Sequence, residues 1–416
     1  MKNKLLTPIG ILSLSKAISE VGTALRLVIW PLYAYLISKD PKIIVIILAV
    51  EQIVTTIVSF FGSYISDVFN RKTMMILDET VSGLCTLSLF FLTKDTIYWA
   101  IPISIVWAFI NTLTENANAL FVNDIKKEDE CLRQQFAKYD LNIHLVGAAT
   151  ILVGSGIAEL IGARAIFIVD AITFFICAGL ISTIKYHNPV KKLDIPGIKE
   201  MVKYYKEGLD YISQTNTTLK LLLFTTAGII FTQGIAFTTH IQYMKIELDA
   251  SNYHIGFWRL AVKLAFIFSS YLFLQKFIQK VKNTTLVPLG FSIIGMCYLA
   301  MFLSPNIWFF IGAMFVSSLG VHIYSTALKT ETIAEVPNDM KSRMSGYRLF
   351  VVQASYAVGQ VLNIWLITLA STGRFSYLVA FILDFIFIGI FFLALNKHNA
   401  NKVKNTRGGG DLGGGM

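Results

Sequence analysis

The chain has 416 residues, of which 55% are hydrophobic and only 15% are charged, and its mean hydropathy is +0.61. Globular proteins carry about 25% charged residues to keep their surface in water, so this composition excludes a soluble enzyme, a disordered scaffold and a secreted disulfide-rich protein. The net charge of +10 comes from basic residues that stand between long apolar runs, which favours membrane topology over nucleic-acid binding.

Twelve apolar stretches follow one another along the chain, each near the ~20 residues that cross the hydrocarbon core of a bilayer. Prolines, glycines and charged clusters separate them at 5–37, 41–65, 73–93, 98–122, 139–161, 164–184, 219–244, 250–274, 284–303, 306–330, 346–371 and 375–396. They predict an all-α membrane protein with twelve transmembrane helices in two six-helix bundles. The predicted divisions are an N-terminal bundle (1–184), a connector (185–218), a C-terminal bundle (219–396) and a flexible cytoplasmic tail (397–416).

Lysine and arginine fall mainly on one side of these stretches. If the N-terminus is inside, 26 of the 36 basic residues lie in inner segments, six in outer segments and four within the stretches. Because basic residues are retained on the cytoplasmic side, this bias predicts that both termini are cytoplasmic. It also predicts a multi-pass protein of the cell membrane, which we expect to be a bacterial inner membrane.

The connector is the longest polar stretch and divides the chain into two sets of six. Within it, 195–212 has apolar residues at helical spacing opposite lysines, which is typical of a helix at a membrane surface. A short duplication supports the division, because the segment 123–126 (Asn-Asp-Ile-Lys) after the fourth stretch is matched by 338–341 (Asn-Asp-Met-Lys) after the tenth. Two parallel repeats of six helices predict such equivalent placement.

Charged residues inside the stretches of the N-terminal bundle are candidates for function, because a charge at mid-membrane costs ~2.5–3.5 kcal/mol and should face a cavity or a bundle interior. Lys16 and Glu20 lie four residues apart on one face, with Arg26 further along. Glu20 lies roughly 22 Å from the inner end of its stretch, and Glu51 about 15 Å from the outer end of the second, and these comparable depths predict that the two share a cavity. Glu20, Glu51 and Glu115 are therefore predicted proton carriers, with a structural Lys16–Glu20 pair as the alternative for Glu20.

The loop after the second stretch carries the clearest motif, which runs from Gly62 to Lys72. In this motif the chain resembles the major facilitator superfamily, whose loop between helices two and three has a glycine, an aspartate four residues later and a turn glycine before two basic residues. The resemblance implies that Asp67, Arg71 and Lys72 form a charge latch on the inner side. An ordinary basic turn would explain the two cations but not Asp67. Asn70 replaces the turn glycine and is expected to take the left-handed conformation.

Several short stretches resemble one branch of that family, the macrolide-efflux-like and siderophore-exporter-like drug:proton antiporters. They are Asp78, the segment 167–174, Gly208-Leu209, and Val336-Pro337 followed by Arg343. Two features depart from the pattern: Asn111 replaces an arginine of helix four that is linked to proton coupling, and helix five keeps glycines such as Gly147 without the proline. The resemblance implies secondary active export coupled to proton entry.

Two basic residues of the eighth stretch, Arg259 and Lys263, lie four apart and share one helical face near mid-membrane. Like charges so placed repel each other unless an anion joins them. That anion is either Asp384 of the twelfth stretch or an anionic substrate. Other polar and aromatic residues are predicted either to line a binding site or to pack between helices, namely Gln233, His240, Gln242, Tyr271, His322, Tyr324, Gln353, Trp30, Trp107 and Trp258.

The sequence predicts a secondary transporter, not an enzyme, that exports a drug, a macrolide-like compound or a siderophore by alternating access. An importer of an anionic substrate or siderophore, a lysophospholipid mover, and a membrane sensor without transport are the alternatives. Four scattered cysteines and six scattered histidines predict no metal and no cofactor, and the sequence has no phosphate-binding loop of the type GxxxxGK[ST]. The expected partners are the substrate, protons and the lipid bilayer, with no nucleic acid, and the expected state is a monomer.

Overall fold

The computed structural model describes residues 7–38, 42–126, 131–187, 198–214, 217–237, 239–334, 336–338, 340–370 and 372–408. These residues are helical or in turns and contain no strand. The long helices are α1 (Pro8–Ser38), α2 (Lys42–Val68), α3 (Arg71–Phe90), α4 (Ala100–Ile125), α5 (Leu132–Ile161), α6 (Ala163–Ser182), α8 (Thr217–Phe237), α10 (Asn252–Leu274), α12 (Asn283–Phe302), α13 (Ile307–Ala334), α14 (Lys341–Ala370) and α15 (Arg374–Gly408). The shorter helices are α7 (Ile198–Gln214), α9 (His240–Ile246) and α11 (Lys276–Gln279).

The composition of the long helices suits a lipid environment. Within the described part of the chain, nine of them are long and apolar enough to cross a membrane. Large apolar side chains cover much of the outer surface, including Ile53, Ile57 and Leu393. Exposed aromatic residues stand at the start of α4 (Trp99) and at the equivalent start of α13 (Trp308), where amphipathic rings commonly meet the lipid head groups. The all-helical membrane architecture predicted from composition is thus confirmed.

The same packing pattern occurs twice. In α1–α6, here the N half, α1 packs against α5 and α6, α3 packs against α4 and α6, and α2 packs against α4. The C half consists of α8–α15 and repeats the pattern: α8 packs against α14 and α15, α12 against α13 and α15, and α10 against α13. Between the halves, the main contacts join α2 to α14 and α5 to α10. In the repeat, α10 corresponds to α2 and α14 to α5, so these two contacts are equivalent. Each half contacts the other through the second and fifth of its long helices.

Glycines allow the closest helix crossings. A Cβ at Gly22 of α1 would lie 2.4 Å from the Cα of Asp170 on α6, and a Cβ at Gly359 of α14 would lie 2.1 Å from the backbone oxygen of Phe231 on α8. Real Cβ atoms do not come so close to backbone, so only glycine permits these contacts. Small residues at helix contacts are the usual means of close packing in membranes, where lipid tails leave no hydrophobic drive between helices.

Several helix boundaries differ from the sequence-based expectation: α5 begins at Leu132 and α14 at Lys341, before the predicted 139 and 346, and two further differences change the helices themselves. The predicted stretch 219–244 is divided, because α8 ends at Phe237 and α9 begins at His240. The two consecutive threonines at 238 and 239, which are β-branched and weak helix formers, explain a break at this point. The last helix continues to Gly408 instead of ending at 396, since 397–407 contains neither glycine nor proline. The predicted flexible tail therefore begins with helix, and 409–416 lie outside the described residues.

The connector helix α7 rests on both halves. On the N half, Tyr205 clusters with Tyr64 of α2. On the C half, Glu207 forms a 2.6 Å salt bridge with Arg343 of α14, and Gly208 lies against the side chain of Met344. The described part of the connector is thus a helix with a buried face, while the predicted start of that helix, 195–197, lies outside the described residues.

Candidate functional site

Glu20 of α1 and Lys263 of α10 join the two halves inside the bundle. The Lys263 Nζ lies 2.5 Å from Glu20 Oε1, and both side chains are largely buried, at 20% and 13% exposure. Gly147 of α5 makes room for them, because a Cβ there would lie 2.6 Å from Glu20 Oε1 and 3.2 Å from Lys263 Nζ. Three helices from both halves therefore meet at one ion pair, which is the only salt bridge between the halves among the described residues other than that of the connector helix.

Lys16 does not bond to Glu20, one turn away on α1. Its ammonium instead bonds to Glu79 of α3 and lies 3.8 Å from Asp78. Ser19 donates a second hydrogen bond to Glu79, at 3.2 Å. Lys16 is thus held within the N half, which leaves Glu20 for the partner across the interface. The Lys16–Glu20 pairing that the sequence offered as an alternative is not what the structure shows.

Two histidines face each other close to this ion pair, one from each half. The ring of His144 on α5 lies 5.8 Å from that of His322 on α13, and Phe266 of α10 packs against both. His322 Nε2 lies 2.9 Å from the Ser270 hydroxyl. His144 Nδ1 is buried and has no hydrogen-bond partner within the described ranges. His322, a predicted binding residue, is therefore at the interface between the halves, beside a histidine that the sequence analysis had not singled out.

A second polar site lies inside the N half, where α1, α2, α3 and α4 enclose a small pocket. Arg26, Trp30, Glu51, Ser104 and Trp107 are among the residues that line it. The Arg26 Nε lies 2.6 Å from Asp170 Oδ2 of α6, and its guanidinium stands 4.4 Å from the centre of the Trp107 ring. Glu51 lies beside the Ser104 hydroxyl and within electrostatic range of Arg26. The two carboxylates predicted to share a cavity, Glu20 and Glu51, are in different sites.

The predicted latch residues form a network at the end of the N half. Arg71 Nη1 lies 2.7 Å from Asp124 Oδ2 of α4, and Nη2 lies 3.5 Å from Asp67 Oδ1. Tyr186 donates a 2.8 Å hydrogen bond to the same Asp124 oxygen. Burial and the Asp124 charge raise the pKa of Tyr186, so its hydroxyl remains a donor. Lys72 donates to two backbone oxygens at the end of α6, those of Ser182 and Ile184.

The turn at Asn70 has a different form from the one expected. Its φ is −65° and its ψ 117°, which is extended and not left-handed. Asn70 is the N-cap of α3, and its side-chain oxygen accepts a 3.2 Å hydrogen bond from the Thr73 amide. Asparagine is among the best N-cap residues because it satisfies an otherwise unpaired amide of the first turn. The substitution of the family's glycine is therefore explained by capping.

Hydrogen bonds between the halves close the same end of the bundle. This end, where α2 and α4 end and α12 begins, is here called the basic end. Arg133 at the start of α5 donates to the backbone oxygens of Gln279 and Val281, at 2.9 and 3.1 Å, and to the Asn283 side chain at 3.2 Å. Asn116 of α4 donates to Ser342 of α14 at 3.4 Å. One buried guanidinium thus ties α5 to the segment before α12.

The third predicted carboxylate, Glu115, lies near the same interface. Its side chain is exposed, and its charge acts on the buried Arg348 of α14 in the C half. Arg348 Nε has no hydrogen-bond partner in the part of the chain that the structure describes. Glu115 and Arg348 are therefore opposite charges on facing helices, without the close contact that joins Glu20 to Lys263.

Among the C-half side chains that the structure describes, the predicted residues His240, Gln233 and Asp384 have separate partners, and the side chain of Gln242 lies outside that description. His240 Nδ1 lies 2.8 Å from the Tyr377 hydroxyl in an aromatic cluster, and Gln233 is 3.5 Å from the Tyr324 hydroxyl. Asp384 accepts a 2.9 Å hydrogen bond from Thr232, and its other oxygen has no partner among the residues described. Since Lys263 bonds to Glu20, it is not joined to Asp384. Arg259 is partly exposed, one turn from Lys263 on α10.

Sequence reasoning missed three charged residues of these sites: Glu79, Asp124 and Arg133. Asp124 was noted only as part of the duplicated segment 123–126, and that duplication was a signal for a latch partner. Glu79 directly follows Asp78 and was assigned no role. Arg133 was counted as an ordinary inner basic residue, and nothing in its local sequence indicates that it reaches backbone oxygens almost 150 residues away.

Comparisons with known proteins agree with the fold. A family model described as Major Facilitator Superfamily matches residues 13–360. The chain is similar in fold to a bacterial homologue of the iron transporter ferroportin in an outward-facing state, with a TM-score of 0.68 at 12% identity over 94% of this chain and 100% of that chain. It is also similar to the human organic anion transporter MFSD10 (TETRAN), with a TM-score of 0.70 at 11% identity over 91% and 98%. The search of curated protein sequences gave no match.

Proposed function

The chain belongs to the major facilitator superfamily and is a multi-pass membrane transporter of a small molecule, and from this premise we propose that it is a proton-coupled exporter of an amphipathic compound. Twelve spanning helices with both termini on the cytoplasmic side would form two halves that rock about the substrate. The proposed compounds are drugs, macrolide-like molecules or siderophores, as in the branch that the sequence resembles. The proposed location is a bacterial inner membrane, and the proposed state is a monomer.

The observation that carries this proposal is the salt bridge between Glu20 and Lys263. It joins α1 of one half to α10 of the other and is largely removed from water. A proton on Glu20 would remove one of the two charges, and an ion pair in a poorly solvated site is strong only while both charges are present. Protonation would therefore loosen the contact between the halves. This gives a direct physical link between a proton and the alternating movement.

The bonds at the basic end support alternating access. Arg133 and Asn116 join the halves there, so this end is closed in the conformation described. With the basic end on the cytoplasmic side, the substrate path would be shut toward the cytoplasm. Export requires a second conformation, in which the hydrogen bonds of Arg133 are broken and the basic end opens.

The test is proton flux in proteoliposomes that contain a pH-sensitive dye. A panel of organic cations, neutral macrolides and carboxylates is added under an imposed pH gradient. We expect at least one solute to move protons, and we expect Glu20→Gln to reduce that flux at least tenfold, while Glu20→Asp keeps much of it. Lys263→Gln is expected to uncouple solute movement from proton movement.

The matched control is Asp95→Asn, which removes an exposed carboxylate from the loop between α3 and α4 of the same half. Its flux should equal that of the wild type. Wild-type solute flux that Glu20→Gln leaves unchanged would exclude Glu20 as the coupling residue. No flux with any solute would argue for the membrane sensor considered from the sequence.

Transport of an anionic solute is the second candidate function, in either direction. It is favoured by the position of Arg259, one turn from Lys263 on the face of α10 that packs against α5 of the N half. A carboxylate or a lysophospholipid phosphate could bind the two cations together once Glu20 is protonated. In the same flux assay, carboxylate movement abolished by Arg259→Gln, with organic cations inactive, would select this function.

A further inference from the structure

We infer that Asp384 of α15 holds a bound proton inside the C half, and that this proton takes the place of the arginine that neutralises the equivalent aspartate of the N half. The inference goes beyond the proposed function, because it involves neither the Glu20–Lys263 pair nor a substrate. It depends on the position of Asp384 in the repeat, on the hydrogen bonds around it and on the space beside it.

Asp384 occupies the place in the C half that Asp170 occupies in the N half. Asp170 lies on α6, which packs against the first helix of its half, and Asp384 lies on α15, which packs against the first helix of the other half. The two aspartates are 214 positions apart, and the duplicated segments 123–126 and 338–341 are 215 positions apart. The two carboxyl groups are therefore equivalent in the repeat.

A glycine makes the same helix crossing possible in both halves. A Cβ at Gly22 of α1 would lie 2.4 Å from the Cα of Asp170, and a Cβ at Gly228 of α8 would lie 2.4 Å from the ring of Phe387. Phe387 is one turn from Asp384 on α15. Each aspartate thus lies at the close crossing between the first and last long helices of its half.

The counter-ion of the aspartate is present in the N half and missing in the C half. Arg26 and Thr232 each follow the glycine of the crossing by four residues. The Arg26 Nε lies 2.6 Å from Asp170, whereas the group 2.9 Å from Asp384 is the uncharged Thr232 hydroxyl. Asp384 is fully buried, and no basic group acts on it within the described chain. An isolated carboxylate in such a place is so costly that the group takes up a proton.

The hydrogen bonds around Asp384 are completed by one more proton. Thr232 Oγ1 lies 2.7 Å from the backbone oxygen of Ile229 and 2.9 Å from Asp384 Oδ1, but a hydroxyl group has only one proton to donate. With an ionised Asp384, one of these two contacts would lack a proton. With a protonated Asp384, the acid donates to Thr232 and Thr232 donates to Ile229, so both contacts are hydrogen bonds.

A metal cation does not fit in place of the proton. A Cβ at Gly295 of α12 would lie 2.7 Å from Asp384 Oδ2, so the space beside this oxygen is too small even for a methyl group. Hard cations take roughly six or more oxygen ligands. The titratable groups nearby on α12, α13 and α14 are Tyr298, Tyr324 and Tyr356, which are neutral at pH 7 and supply no compensating charge.

The proton on Asp384 is held in place and not carried. Thr232, Gly295 and Tyr298 lie on α8 and α12, which belong to the same half as α15. A movement of one half against the other therefore leaves these neighbours together and the carboxyl group enclosed. Glu20 differs in this respect, because its partner Lys263 belongs to the opposite half.

Infrared spectroscopy tests the inference, because a protonated carboxyl group has a carbonyl band that a carboxylate lacks. The sample is the purified full-length protein at pH 7 in a detergent without carbonyl groups. Asp384→Asn should remove intensity from this band, and Thr232→Val should shift it to higher frequency by removing the hydrogen-bond acceptor. Asp170→Asn is the matched control and should leave the band unchanged. It should also lower the Tm, since it leaves Arg26 unpaired, while Asp384→Asn should keep the Tm of the wild type.

The inference is overturned if Asp384→Asn leaves the carbonyl band intact, or if it lowers the Tm as much as Asp170→Asn does. Should Asp384→Asn fail to fold, Thr232→Val decides, because an unshifted band would mean that Asp384 is ionised. In proteoliposomes, Asp384→Asn should keep the proton flux that Glu20→Gln loses, and a loss of flux would refute a proton held in place. The infrared and Tm measurements need no transport, so they remain decisive even if the proposed function fails.

Discussion

Glu20 on α1 and Lys263 on α10 are 243 positions apart in the sequence, and their charged atoms lie 2.5 Å apart between the two halves of the protein. Gly147 on α5 borders the same pair, and its missing side chain leaves the space that the two charged groups occupy. Movement of either half relative to the other must change this contact. The pair is therefore sensitive both to charge and to the arrangement of the halves.

Breaking this pair from one side should cost more stability than removing both charges. We expect Glu20→Leu and Lys263→Met each to lower the apparent Tm in nanodiscs, because a single buried charge left without its partner typically costs ~3–5 kcal/mol. The double variant should recover part of that loss. Thermal unfolding followed by tryptophan fluorescence measures all four proteins. Strictly additive losses would show that the two side chains do not interact.

The crossing of α1 and α6 should not tolerate a methyl group at Gly22. A Cβ there would lie 2.4 Å from the Asp170 backbone, so Gly22→Ala must separate the helices and should destabilise the protein by ~1–3 kcal/mol. The Arg26–Asp170 bond one turn away should be strained as well. Gly179→Ala on α6 is the control, since its Cβ would meet nothing within 4 Å, and it should leave the protein as stable or slightly more stable. Equal Tm values for the two variants would contradict the close crossing.

The Arg71 network should depend on the shape of the guanidinium as well as on its charge. Arg71 reaches Asp124 and Asp67 through two different nitrogens. Lysine has one charged nitrogen on a flexible stem, so Arg71→Lys should lose one of the two contacts and most of the transport rate, nearly as Arg71→Gln does. The measurement is flux in proteoliposomes at equal protein content. Tyr186→Phe, which removes only one hydrogen bond to Asp124, should have a smaller effect.

Removing Arg133 should favour opening of the basic end. The guanidinium donates three hydrogen bonds across the halves, and alanine would donate none. Spin labels at Cys131 and at Lys282→Cys, with the other cysteines replaced, report the separation of α5 and α12. Double electron–electron resonance on Arg133→Ala should show a larger population of long distances between the two spin labels. Lys138→Ala, an exposed site on α5, should keep the original distribution.

Helix number and helix position could be predicted because they depend on local sequence. Each predicted apolar stretch contains one long helix. The two wrong predictions, the uninterrupted helix across the α8–α9 boundary and the helix end at 396, also have local causes, namely weak helix formers and the lack of a residue that stops the helix. The form of the Asn70 turn was mispredicted because a helix cap and a left-handed turn use the same residue types.

The partners of buried charges could not be predicted in the same way. Helical spacing places Lys16 and Glu20 on one face of α1, but it does not say what that face meets. Their actual partners, Glu79 and Lys263, depend on the rotation of α1 against α3 and α10, which is set by packing. Glycine contacts such as that of Gly22 with α6 fix this rotation, and no spacing rule within a single helix identifies them.

The connector helix α7 has a mechanical consequence for transport. Tyr205 packs against Tyr64 of α2, and Glu207 bonds to Arg343 of α14, so one helix is attached to both of the halves that would move in the proposed alternating access. If the two halves separate at the basic end, α7 must lose its contacts with one of them. The connector helix would therefore restrain the separation of the halves, and the weaker of its two attachments would determine which half it remains bound to.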